Sequence, residues 1–101
     1  MSVPKLLAPA ELEAQLRLFP GWTVHAEGGG RLERELKFDS FERAFAFLTG
    51  LAIAAQRLNH HPEIFNVYTT VRLTLRTHDA GGLTGLDFEL AAAAESLLRA
   101  H

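Results

Sequence analysis

At 101 residues, with hydrophobic residues at 48% and charged residues at 22%, the chain has the composition of one compact domain over 1–101 rather than of a disordered tail. Ten Lys and Arg against twelve Asp and Glu leave a formal charge of −2 with no basic stripe to track a phosphate backbone, so direct nucleic-acid binding is not expected. The absence of cysteine excludes disulfides, thiolate metal sites and Cys nucleophiles, and no apolar run forms a signal peptide or approaches the roughly twenty residues that span a bilayer, which points to a cytoplasmic protein.

Pro9 suits the first position of a helix whose early turns carry Glu11 and Glu13, where negative charge complements the helix dipole. Leu12, Leu16 and Phe19 give that helix an apolar face, and Pro20-Gly21 ends it. Gly28-Gly29-Gly30 separates two segments, 22–26 and 31–38, that read as strands of a hairpin, with Leu32, Leu36 and Phe38 sharing a face.

Asp39 and Glu42 have capping-box spacing and are expected to open a long helix. Phe41, Ala44, Phe45, Leu48, Leu51, Ala52, Ala55 and Leu58 recur at three-and-four spacing and predict its buried stripe. Phe47, Ile53 and Ala54 fall outside that stripe, which leaves more apolar surface than a monomer's helix carries and predicts a homodimer or homotetramer. Because the residue before Pro62 is disfavoured in α conformation and Asn tolerates a left-handed turn, the helix should end near Asn59, with His60 and His61 on its exit.

Beyond it, Val71, Leu73, Leu75 and Thr77 point to one face of a strand and Arg72, Thr74, Arg76 and His78 to the other. Gly81-Gly82 makes the next turn. Thr84 and Asp87 form a second capping-box signature ahead of Leu86, Leu90, Ala93, Ala94 and Leu97. The order α-β-β-α-β-β-α predicts an α+β fold, a four-stranded antiparallel sheet with three helices on one face.

Three of the five histidines, His60, His61 and His78, fall at a helix exit and a strand end, where side chains can converge on a shared cleft. Spacing alone leaves open that they merely terminate elements, and His25 and His101 take that reading outright. Three imidazoles also match the donor count of a catalytic zinc, but adjacent side chains diverge and no helical His-x-x-x-His occurs. General acid/base chemistry fits the residue type better, since an unperturbed imidazole titrates near pH ~6.5 and both takes and gives protons around neutrality.

The segments RAFAFL (43–48), LNHHPEIFNVY (58–68) and LTLRTHDAGGLTGLD (73–87) carry a resemblance that covers nearly the whole chain. With His60, His61, Pro62, Tyr68, His78 and Asp87 in the family's order and spacing, the chain resembles the pterin-4a-carbinolamine dehydratases, also called dimerisation cofactors of a homeodomain transcription factor. The resemblance implies dehydration of a 4a-hydroxytetrahydropterin to the quinonoid dihydropterin, within recycling of the cofactor of aromatic amino acid hydroxylases. It implies no metal and no organic cofactor.

On that resemblance His60, His61 and His78 are the catalytic set, with His61 and His78 dividing the proton transfers and His60 binding and orienting. Asn59, Arg76, Thr77 and Asp79 flank them as expected substrate-binding residues, and Asp87 is expected behind them, orienting a histidine. The chain departs from the family's usual residues at Gln56, where an acid that could tune His60 is missing, at Asn59, and at Ile64, where a tryptophan could wall a planar pterin. Two further readings stand beside the enzyme: a dimerisation module acting through the long helix, and a non-catalytic pterin-binding accessory protein.

Overall fold

The computed structural model describes residues 4–100; His101 lies outside them. Chain order is α1 (Pro9–Leu18), β1 (Thr23–His25), β2 (Arg31–Lys37), α2 (Phe41–Leu58), β3 (Glu63–Val67), β4 (Thr70–Leu75) and α3 (Gly85–Arg99). Short 3₁₀ turns at Glu27–Gly29 and His78–Ala80 follow β1 and β4. The sheet is antiparallel throughout in the order β1-β2-β4-β3, so the two hairpins join through the central pair β2 and β4. The α+β architecture expected from the sequence is the observed one.

Alternation explains why the sheet has one buried face. In the β2/β4 register Leu32 opposes Leu75 and Leu36 opposes Val71, and in β3/β4 Ile64 opposes Leu73. Opposed residues point the same way, so Leu32, Leu36, Val71, Leu73 and Leu75 form one apolar layer, fully or almost fully buried. The other face carries Glu33, Glu35, Arg72 and Thr74, with the Arg72 guanidinium 4.5 Å from the Phe65 ring centre. Against the apolar layer pack Ala44, Phe47, Leu48, Leu51 and Ala55 of α2 and Phe88, Leu90, Ala91 and Ala94 of α3. Helix α1 adds a partly buried edge, with Phe19 5.6 Å from Phe88.

Two expectations for α2 need correction. Its N-cap is Ser40, whose hydroxyl accepts from the Arg43 N–H at 3.2 Å, and not Asp39. The Phe38 N–H bonds the Thr69 carbonyl and extends the sheet by one residue, which leaves Asp39 in the connection. The buried stripe is also rotated: Phe47 is 1% exposed, whereas Phe41 and Phe45 are 47% and 55% exposed and Ala52 is exposed too. The apolar arc is wider than the arc that touches the sheet, and the surplus lies at Phe41, Phe45 and Ala52 on the flank toward β3 and, as expected, at Ile53 on the side toward α3, but not at Phe47.

Two glycine backbones fix how the β1–β2 turn meets the loop after β4. Gly29 has φ +93°, and a Cβ built on it would lie 1.7 Å from the Gly81 carbonyl oxygen; one on Gly82 would lie 2.3 Å from the Gly29 oxygen. No side chain fits between them, so this contact holds the end of the sheet where the histidines gather. Gly85, at the first position of α3, faces open space. We expect Gly29→Ala to lower the unfolding free energy by at least about 1–3 kcal/mol, and Gly85→Ala to leave it unchanged or raise it by up to about 1 kcal/mol. Urea denaturation of the two variants checks the contrast.

Candidate active site

Each histidine owes its position to a different backbone feature. Asn59 ends α2 in the left-handed conformation (φ 51°, ψ 42°), with its N–H on the Gln56 carbonyl at 3.2 Å and the next N–H, of His60, on the Ala55 carbonyl at 3.0 Å. These are the paired bonds of a Schellman ending, and Asn is among the few residues other than glycine that take the turn readily. The turn sends two adjacent imidazoles opposite ways. His60 goes inward, 8% exposed, its Nε2 2.6 Å from Asp87 Oδ1. His61 stays exposed, its Nε2 3.0 Å from Gln56 Oε1.

His78 is exposed and opens the 3₁₀ turn, so it does not end a strand as the alternation predicted. The ladder stops at Leu75, opposite Leu32 and one residue short of the start of β2, and two residues on Thr77 pairs with Gly82 instead, its N–H on the Gly82 carbonyl at 2.9 Å. Arg76 reaches back to the β1–β2 turn: its Nη2 donates to the Gly28 carbonyl at 2.9 Å.

Behind the histidines Asp87 is fully buried in the first turn of α3. Its Oδ2 accepts from the Thr84 N–H, closing the predicted capping box, and from the Thr77 hydroxyl, both at 2.9 Å. Thr77 Oγ1 also lies 2.7 Å from Thr84 Oγ1, and both threonines are buried. A carboxylate in the interior is costly unless donors surround it, and the helix N-terminus adds favourable partial charge.

Asn59, His60, His61, Arg76, Thr77, His78 and Asp79 line one open cleft. All the residues the sequence marked for binding therefore come together. Asp87 is buried behind the cleft, whereas Gln56 is exposed beside His61, with one correction to the expected pairing: Gln56 bonds His61, and the acid on His60 is Asp87. Two residues weighed for the site lie elsewhere. Ile64 is in a groove with Phe45 and Ala52, and Tyr68, at φ 52°, is exposed in the two-residue turn between β3 and β4. An apolar cavity of about 250 Å³ lined by Lys37, Phe38, Arg43 and Leu97 holds no histidine.

Thr84 was legible only as a cap. The signal that something else faces it was Thr77, a hydroxyl on the same strand face as the buried Leu73 and Leu75, since a polar group on a core face needs a partner. Among the described residues no group of three or more His, Cys, Asp or Glu side chains is arranged to hold a metal ion.

Residues 5–97 match the family model described as pterin 4 alpha carbinolamine dehydratase. The chain belongs to this family. Its activity is the dehydration of a pterin 4a-carbinolamine, which makes it a hydro-lyase with a pterin substrate. Relatives bearing the dehydratase name include one from Sinorhizobium medicae, 54% identical over 88% of this chain and 84% of its own, and one from Rhizobium johnstonii, 54% identical over 83% and 82%. The crystal structure of a transcriptional coactivator/pterin dehydratase from Brucella melitensis superposes with a TM-score of 0.85 at 36% identity, covering 90% of this chain and 96% of that one. A pterin dehydratase-like protein that is a RuBisCO assembly factor in the alpha-carboxysome has a TM-score of 0.65 at 26% identity, over 76% of this chain and 88% of that one.

In this dehydratase the buried carboxylate joins the cleft to the core. Asp87→Ala would leave His60, Thr77 and the Thr84 N–H without their shared acceptor. It is expected to lower the unfolding free energy by about 3–5 kcal/mol, the usual cost of breaking a buried pair, as measured by urea denaturation.

Proposed function

We propose that a 4a-hydroxytetrahydropterin binds in the histidine cleft and loses water there by general acid/base catalysis divided between His61 and His78. The observation that carries the reading is the difference in environment among the three imidazoles: one is buried and tied to a carboxylate, and two are exposed on the same cleft. Groups that exchange protons with substrate and then with water need the second environment.

The reaction requires one proton delivered and one removed. The C4a–O bond breaks as the hydroxyl leaves with a proton from one imidazolium. The neighbouring N5 gives its proton to the other imidazole, and the freed electron pair forms the C4a=N5 bond of the quinonoid dihydropterin. Atoms and electrons balance with water as the only other product, so no redox partner enters. His60 binds and orients the ring, and Asn59, Arg76, Thr77 and Asp79 supply the remaining walls. Gln56 holds one nitrogen of His61, which leaves the other to meet the substrate.

His61→Ala and His78→Ala are each expected to slow dehydration of freshly generated carbinolamine by about 10²- to 10⁴-fold. Both side chains are exposed, so the far-UV spectrum and the urea midpoint should stay near wild type. Chelator-treated protein is the reference. Full activity in either variant would remove that histidine from the proton transfers.

We further infer that the chain works as a homodimer or homotetramer. Strand β3 is a sheet edge, with Ile64, Phe65 and Val67 exposed along it and Phe41 and Phe45 exposed on the adjoining flank of α2. A continuous apolar edge with open backbone donors invites a further strand or helix, and a second copy supplies one with matching symmetry. Size-exclusion with light scattering at micromolar concentration should give at least twice the chain mass, and Ile64→Lys should shift it toward the monomer.

A further inference from the structure

The threonine pair behind the cleft has a fixed hydrogen-bond direction. Asp87 Oδ2 accepts from the Thr77 hydroxyl and from the Thr84 N–H, and an amide N–H can only donate. Thr77 carries one hydroxyl proton, and it is committed to Asp87. The 2.7 Å contact between Thr77 Oγ1 and Thr84 Oγ1 must then be Thr84 donating to Thr77. Thr84 in turn accepts from the Leu86 N–H at 3.3 Å, in the first turn of α3. The donors therefore point one way: Leu86 N–H to Thr84, Thr84 to Thr77, Thr77 to Asp87. On its other oxygen Asp87 meets His60 Nε2 at 2.6 Å.

We propose that Thr84 and Thr77 are positioning residues that act through Asp87 to lock His60 as the Nε2–H tautomer, so that its Nδ1 lone pair is the face offered to substrate. With both oxygens of Asp87 engaged by donors, the carboxylate cannot rotate away, and the imidazole has one partner in one orientation. His60 then accepts a hydrogen bond in the cleft. The complementary group is an N–H or O–H on the edge of the pterin, and a ring presenting only acceptors at that edge is disfavoured. Thr77 contributes to the cleft by what its hydroxyl does to Asp87 and not by donating to the pterin. That last role rests on the function proposed above, whereas the tautomer does not.

The experiment is a long-range ¹H–¹⁵N correlation of the histidine rings in ¹⁵N-labelled protein at about pH 8, where ordinary imidazoles are neutral. His60 is identified by the loss of its signals in His60→Gln. Wild type should show His60 as a single Nε2–H tautomer. Thr77→Val, nearly isosteric but without the hydroxyl, should show mixed tautomers and lose about 10-fold or more in kcat/KM. Thr77→Ser and Thr84→Ser, which keep the hydroxyl, should restore both readouts, a rescue that a purely structural role would not produce.

An Nδ1–H tautomer for His60 in wild type overturns the proposal without any variant. So does Thr77→Val that is folded and keeps both the single tautomer and full kcat/KM. If the tautomers follow the threonines while wild type fails to accelerate dehydration, the relay stands and the catalytic reading falls.

Discussion

The bond between His60 and Asp87 joins the exit of α2 to the first turn of α3, and the arrangement of the cleft depends on it. One carboxylate caps α3 through the Thr84 N–H, receives the Thr77 hydroxyl from the end of β4, and holds the imidazole. Three chain segments, the exit of α2, the stretch after β4 and the start of α3, therefore meet on two oxygens. Burying such a group costs several kcal/mol by itself, and the fold offsets that cost by spending the orphan donor of a helix N-terminus on it. Helix capping and site construction are here the same set of bonds.

The two adjacent histidines show how little backbone is needed to give neighbouring side chains opposite environments. Successive residues at a left-handed helix ending point in different directions, so His60 enters the interior while His61 remains in water. The buried ring gains a fixed orientation and loses exchange with solvent. The exposed ring keeps exchange and is steadied only by Gln56. His78 joins them because the chain leaves the ladder after Leu75 and folds into a 3₁₀ turn closed by the Thr77–Gly82 pair, which brings it over the cleft.

Much of this was legible in the sequence because local rules governed it. Asn59 before His-His-Pro marked the helix ending, Thr84 with Asp87 marked the second cap, and alternation from Val71 placed the core face of β4. Where two local rules competed, the tertiary contact decided. Asp39 and Ser40 both qualify as caps, and a sheet bond from Phe38 selects Ser40. The apolar arc of α2 is too wide for periodicity to locate its centre, so Phe47 and Phe45 exchange the places expected of them. Strand order and the partner of His60 had no local signature, since both are set by contacts across long sequence separation.

The cleft and the apolar edge draw on different parts of the same helix. The C-terminal exit of α2 carries His60 and His61, and its flank carries Phe41, Phe45 and Ala52 toward β3. The edge residues contact neither Asp87 nor the threonines through any hydrogen bond, so substitutions there leave the bonds that orient His60 in place. This separation is a physical reason why one scaffold can carry different edge surfaces around the same internal bonds. The coupling that remains runs through β4, which pairs with β3 along the edge and leads directly into Arg76 and Thr77 in the cleft. A partner bound on β3 would steady the strand that leads to Thr77 and Asp87, so any effect of the proposed assembly on the cleft would run through β4 and not through a residue of the edge itself.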